Sequence, residues 1–259
     1  MTINHISAQE VIPDVQTDLF VGHETAQFAV GIVGIGDQPM IGRENEFKGY
    51  GLLRGNVYAF EQNYMAVEDL NPDGTESDKD DIRSIHFAVI ENAIRSPRVV
   101  GTMRLIIKSR ENNWSLPIEE HYPEAFESTD VPILSTEVSR WICRHEDRNT
   151  QNELRWPLFT AGVSTITEND LGPVYGAVKE NLARGLRISG VPVTELIPEA
   201  KFVPEFNASK LPIRVDINTL AQRLEDDRPE LTESIRHAAS TEFVYSGTVG
   251  AVDPSITVA

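Results

Sequence analysis

Residues 135–148, Ser-Thr-Glu-Val-Ser-Arg-Trp-Ile-Cys-Arg-His-Glu-Asp-Arg, constrain this chain more than any other stretch. Val138, Trp141, Ile142 and Cys143 give it the apolar content of an interior strand, yet Glu137, Arg140 and Arg144 lie along the same element. Side chains alternate between the two faces of a strand. Regular alternation places Glu137, Ser139 and Trp141 on one face, with Val138, Arg140 and Ile142 on the other. Charges on both faces are costly to bury unless they are paired or used. The stretch therefore reads either as an edge strand with a structural ion pair or as part of a site. Asp147-Arg148-Asn149-Thr150 then makes a polar turn able to cap a helix carrying Leu154, Leu158, Phe159, Gly162, Val163 and Ile166. A strand that delivers the chain into a helix N-terminus, with arginines at the junction, suits a phosphate.

Composition narrows the function classes. The 259 residues are enough for one substantial core. A net charge of −17, from 23 basic and 40 acidic residues, argues against nonspecific binding to nucleic acid or to anionic membrane. Cys143 is the single cysteine, which excludes an internal disulfide framework and any multi-cysteine zinc site. In an apolar strand it reads as a buried thiol rather than a nucleophile, and no metal centre is expected. The N-terminus lacks a basic segment followed by an apolar one. The apolar run Phe28–Ile35 is far shorter than the ~20 residues a membrane helix needs. A cytoplasmic protein without a membrane span is the expectation.

Residues 1–45 read as an N-terminal extension, with a short strand at 27–34 and a flexible exit through Gly31, Gly34, Gly36 and Pro39. From Tyr50 the spacing turns helical, and Leu53, Val57, Phe60, Tyr64 and Met65 share one face, with Phe60 expected in the core. Arg54 beside Tyr58 and Tyr64 can line a polar pocket. Asn71-Pro72-Asp73-Gly74 is a turn signal. The acidic run 76–81 that follows is either a solvated loop or a site for a cationic group. Residues 85–91 and 99–108 read as a β-hairpin, with Arg104 embedded among apolar neighbours. A loop with Pro117, Pro123 and Pro132 leads into the charged strand. After the helix through Ile166 come strands at 173–178, 191–197 and 211–217. A helix between the first two is capped at Gly190, and short helices follow around Leu220 and around Leu231, Ile235 and Ala238. This order predicts an α/β (α+β) mixed sheet flanked by helices over 46–240, with a C-terminal tail at 241–259.

The order and the motifs resemble the acyl-homoserine-lactone synthases, or autoinducer synthases. Arg54, Tyr58 and Tyr64 match that family's arginine followed by two aromatics. Asp78 and Asp81, preceded by Glu76-Ser77, match its pair of aspartates three apart. Arg104-Leu105 matches its strand arginine, Glu137, Ser139, Arg140 and Trp141 match its Glu-x-Ser-Arg-aromatic signature, and Ser189-Gly190 matches a helix end. The resemblance covers about residues 50–224. Tyr64 stands where the family usually has tryptophan, Asp80 stands where an aromatic is usual, and the N-terminal extension is long.

The resemblance implies an acyl-CoA N-acyltransferase (GNAT-like) fold and an acyltransferase involved in quorum sensing. The donor would be an acyl-carrier-protein or acyl-CoA thioester and the acceptor S-adenosylmethionine, with no tightly bound cofactor. The catalytic residues would be Glu137, which would help deprotonate the amine, and Arg104, which with Asp78 and Asp81 would form the network that holds the acceptor. Arg54 would anchor the acceptor's carboxylate, Tyr58, Tyr64 and Trp141 would line its site, and Arg140 would support Glu137 or the network. The donor would lie along Ile142 with its phosphate near Arg144 or Arg148. Leu158, Phe159 and Val163 would receive the acyl chain. Two alternatives stand beside this reading: an N-acyl amino acid synthase on the same scaffold, and a GNAT-like binding domain without turnover. The extensions would provide any oligomer contact.

Overall fold

A computed structural model describes residues 28–91, 97–108, 114–127 and 130–227 of the chain. Nine strands are described: β1 (Phe28–Ile35), β2 (Gln38–Pro39), β3 (Ser84–Glu91), β4 (Arg98–Ile107), β5 (Thr136–Cys143), β6 (Val174–Val178), β7 (Val193–Glu195), β8 (Lys201–Val203) and β9 (Ala208–Val215). They form a sheet in the order β2-β1-β3-β4-β5-β6-β9-β7, with β8 paired to β9 beside this path. Only β5 and β6 run parallel; every other described pairing is antiparallel. The helices are α1 (Glu44–Gly55), α2 (Pro117–His121), α3 (Arg148–Glu153), α4 (Arg155–Glu168), α5 (Glu180–Ile188) and α6 (Ile217–Asp227).

β3 and β4 are nearly continuous apolar runs because helices cover both of their faces. On one face Ile85, Phe87, Val89, Met103 and Leu105 pack against Leu158, Val163 and Ile166 of α4, in a core completed by Ala183, Leu186 and Leu220. The spacing of the apolar residues puts them on one stripe of α4. On the other face α1 packs Tyr50 against Val33, Ala88 and Ile90. A third cluster joins Ile106, Leu116, Ile118, Tyr122 and Tyr175 below α2.

Several expectations need correction. β1 lies inside residues 1–45, yet it pairs along its length with β3, so the sheet begins before the expected boundary. Residues 1–27, the helical piece around Leu231 and the tail at 241–259 lie outside the described residues. The proline-rich loop contains α2, with Pro117 at its first position, where a missing N–H costs nothing. Phe60 is 59% exposed rather than core. After Gly55 the chain passes into a π-helical turn over Asn56–Glu61, which rotates the following side chains off the α-helical stripe. The face α1 buries is Tyr50, Gly51, Arg54 and Gly55. A Cβ on Gly55 would stand 2.5 Å from the Gly74 carbonyl oxygen, so glycine lets the loop run tight against the helix.

Candidate active site

β5 carries the irregularity on which the site is built. Arg104 of β4 lies opposite Ser139, but Thr102, two residues earlier, lies opposite Ile142, so β5 holds one extra residue there. Arg140 takes a left-handed φ of 54°, and the Thr102 hydroxyl donates to its carbonyl at 2.8 Å. Such a bulge re-aims the side chains on either side of it. The regular alternation expected for this strand is therefore broken. Arg140 joins Glu137 and Ser139 on the α1 face, and Trp141 turns to the α4 face, where it stacks on Phe159 with centroids 5.8 Å apart.

On the α1 face three arginines and three carboxylates close into a ring. Glu76 bridges Arg54 and Arg140, the latter at 2.8 Å. Asp78 bridges Arg140 at 2.7 Å and Arg104 at 2.6 Å. Asp81 bridges Arg104 at 2.7 Å and Arg54 at 2.9 Å. Arg104 also donates to Ser139 Oγ at 3.0 Å, and the Arg140 guanidinium lies 4.7 Å above the centre of the Tyr58 ring. Burial opposes ionisation of Asp81, but Arg54 and Arg104 overcome it and hold its carboxyl well below the usual range. Glu76 and Asp78 are likewise held down against burial by the arginines they touch. All six groups are charged, and the ring is formally neutral.

The acidic run is thus neither a solvated loop nor an open site for a cation. Glu76 and Asp81 are buried and matched to arginines from three distant segments, and Asp80 is paired with Arg83. Arg54 is 1% exposed, and each of its three nitrogens is engaged, by Glu76, Asp81 and the Tyr50 hydroxyl. It therefore presents no open face to an acceptor's carboxylate. Arg104 is buried within the ring too, so of the three arginines only Arg140 reaches the cavity described next. Behind the ring His86 bonds the Tyr50 hydroxyl at 3.0 Å and the Gly36 carbonyl oxygen at 2.8 Å. Burial lowers His86 to about 4, so it is neutral.

The parallel ladder between β5 and β6 consists of two pairs, Thr136 with Val174 and Glu137 with Tyr175. Beyond them the strands part, while β5 stays paired with β4 and β6 with β9. A cavity of about 560 Å³ occupies this gap and passes between the two faces of the sheet. Glu137, Ser139, Arg140, Tyr58, Tyr64 and Lys210 line it on the ring side, and Trp141, Phe159, Gly162 and Val163 line it on the α4 side. Arg144, Arg148 and Arg155 stand at its rim, where Arg144 also pairs with Glu61 at 2.7 Å. Ile142 lines it as well, whereas Leu158 is fully buried in the core and does not. The N-terminus of α3 is occupied by the chain itself, since the Asp147 carboxylate accepts the Thr150 N–H at 2.6 Å.

Glu137 sits where the ladder ends, 5% exposed. Its Oε2 accepts the Ile118 N–H at 2.7 Å, and it makes no ion pair among the described residues. Burial raises its carboxyl to about 7, against the opposing pull of that N–H and of Arg104. Arg104 and Glu137 do occupy the same face of neighbouring strands, but only Glu137 opens onto the cavity. Cys143 is buried, and burial pushes its thiol up to about 12, so it is inert. Among the described residues no cluster of His, Cys, Asp and Glu is built to hold a metal, and no helix is long and apolar enough to cross a membrane.

The sequence matches no protein-family profile and none of the curated proteins. Solved structures are nevertheless similar to it. One is the CoA-dependent acyl-homoserine lactone synthase BjaI, in a structure with SAM and isopentyl-CoA. It is 18% identical, with a TM-score of 0.58 over 83% of this chain and 90% of BjaI. The AHL synthase LasI gives 14% identity and a TM-score of 0.58 over 88% of this chain and all of LasI. FeeM, an N-acyl amino acid synthase from uncultured soil microbes, gives 14% and 0.53 over 80% of this chain and 99% of FeeM. The chain has the GNAT-like fold that these acyl-homoserine lactone synthases share with an N-acyl amino acid synthase.

Proposed function

We propose that this protein is an N-acyltransferase, moving an acyl group from a thioester to the amine of a small acceptor. The observation that carries this reading is Glu137, a carboxyl raised to about 7 and placed where β5 and β6 part, on the wall of the cavity. A general base is most effective when its pKa lies near the working pH. The thioester enters the gap, its pantetheine running along the unpaired edge of β5 as an added strand would. Phosphates meet Arg144, Arg148 and Arg155 at the rim, and the acyl chain passes between Trp141, Phe159, Gly162 and Val163. The Trp141 Nε1–H is buried without an acceptor among the described residues, which a carbonyl of the donor would satisfy.

The amine approaches from the ring side, past Tyr58 and Tyr64. Its nitrogen attacks the thioester carbonyl carbon, the N–C bond forms and the C–S bond breaks. Of the two protons an ammonium loses, Glu137 takes one and the other leaves on the thiol. Backbone N–H groups on the open edge of β5 receive the oxyanion. Arg104, Asp78, Asp81 and Arg54 act as positioning residues. With Glu76 and Arg140 they clamp α1, the acidic loop, β4 and β5 together and fix Arg140 and Ser139 beside the base.

S-adenosylmethionine is the first candidate acceptor, because BjaI was solved with it. Acylation would then be followed by attack of the acceptor's carboxylate on its own γ-carbon, releasing methylthioadenosine. Tyr64 and Asp80, which depart from the lactone-synthase pattern, favour a second reading in which a free amino acid is acylated without lactonisation. The test is incubation of the purified protein with acyl-CoA and acyl-carrier-protein thioesters, first with S-adenosylmethionine and then with free amino acids. A new amide detected by mass spectrometry supports the proposal. Only hydrolysed or unchanged thioester with every acceptor refutes it.

A further inference from the structure

On the proposed acyltransferase reading, an acceptor of either kind carries a carboxylate, and the ring gives that carboxylate no cation. The Arg54 and Arg104 guanidiniums are buried and paired, and Arg140 already serves Glu76 and Asp78. β9 supplies what the ring does not. Leu211, Ile213 and Val215 point into the α4 core, so alternation places Lys210 on the opposite face, with Glu137 and the ring. Lys210 lines the cavity there. Its Nζ stands 3.5 Å from the centre of the Phe206 ring and 5.8 Å from that of Tyr64. Aromatic faces stabilise a cation without using up its N–H donors. Lys210 makes no ion pair among the described residues, and Lys179, beyond the end of β6, adds a second positive charge to the lining.

We propose that Lys210, seated on the Phe206 ring and beside Tyr64, is the residue that recognises the carboxylate of the acceptor and so selects amino-acid-like amines over simple amines. The site already contains what such a contact requires. Burial and Arg140 lower Lys210 to about 8 against the weaker pull of Glu137, and a ligand carboxylate would add counter-charge to the ammonium. Lys210 and Glu137 line the same side of the cavity, so one small acceptor can meet the base with its α-amine while its carboxylate is bound.

The test compares each acid with the amine left when its carboxylate is removed: S-adenosylmethionine with decarboxylated S-adenosylmethionine, and L-phenylalanine with phenethylamine. Calorimetric titration reads binding without turnover, and initial rates read KM and kcat where transfer occurs. Wild type is expected to favour at least one acid over its amine by about ten- to a hundred-fold, the range of a hydrogen bond to a charged group. In Lys210→Met the preference should fall below about three-fold through KM rather than kcat, and Lys210→Arg should restore part of it. Lack of discrimination in the wild type, or discrimination that survives in Lys210→Met, overturns the assignment. Selective binding without acyl transfer to any probe would leave this inference standing and refute the catalytic one. Transfer with a preference insensitive to Lys210 would do the reverse.

Discussion

Glu137→Gln separates a catalytic carboxylate from a structural one, because the two roles predict stability changes of opposite sign. Burial raises Glu137 from 4.5 to about 7. At 1.36 kcal/mol per pKa unit, ionising it costs the folded protein about 3 kcal/mol. Between pH 4.5 and 7 the unfolded chain has lost this proton and the folded protein still holds it. Stability contributed by this group therefore falls as pH rises through that window and is level above it. Glutamine carries no charge and keeps an oxygen for the Ile118 N–H. The variant should match wild type near pH 4 and exceed it by up to about 3 kcal/mol at pH 8, read from urea unfolding of both proteins at each pH. Turnover should fall by roughly two to four orders of magnitude, the usual range for losing a general base. A variant less stable than wild type by ~3–5 kcal/mol at pH 8 would make Glu137 the structural partner of a buried cation. Near-normal turnover would hand the proton to water or to another carboxylate.

Three further outcomes follow from the geometry. Arg54→Met leaves Glu76 and Asp81 buried with half their counter-charge and should cost about 3–5 kcal/mol in chemical unfolding; a loss below ~1 kcal/mol would show that the ring is dispensable to the fold. Arg148→Glu should raise KM for the acyl donor and spare KM for the acceptor, because Arg148 stands at the rim of the cavity and not on its ring side. Gly162→Leu adds a side chain where a Cβ alone would come 2.6 Å from Met103 Cε, so it should depress transfer of long acyl chains more than short ones in a chain-length series.

How far the residues alone reveal this molecule depends on the range of the interactions involved. β3, β4 and α4 are legible because their apolar spacing is local, and Glu137 stands out because a carboxylate amid Val138, Ile142 and Cys143 requires an explanation. The resemblance joins Arg104, Asp78 and Asp81 in one network, but the residues alone do not show that Glu76 and Arg54 close it into a ring. Glu76 meets Arg140 across 64 positions and Arg54 across 22, so the acidic run looks solvated until the fold brings its partners in. The bulge is hidden for another reason. It is one backbone conformation at Arg140, an arginine whose side chain gives no sign of a positive φ, and it exchanges the faces of Arg140 and Trp141. Phe60 misleads because a π-turn changes the helical period midway. Lys210 passes unnoticed since a lysine near the start of a strand is ordinary; only the cavity and the Phe206 ring make it unusual.

Whether thioester and amine meet where β5 and β6 part can be seen in a crystal structure with a non-transferable analogue of acyl-CoA in which a methylene replaces the thioester sulfur and the carbonyl is kept. The analogue's carbonyl should lie in the gap between 138–141 and 176–178, with the acyl chain against Phe159 and Gly162 and a phosphate within reach of Arg148. The carbonyl carbon should lie where a nitrogen within hydrogen-bonding distance of Glu137 can attack it, about 3–3.5 Å away. An analogue bound elsewhere on the protein, or a gap closed by continued pairing of β5 with β6, would contradict this placement.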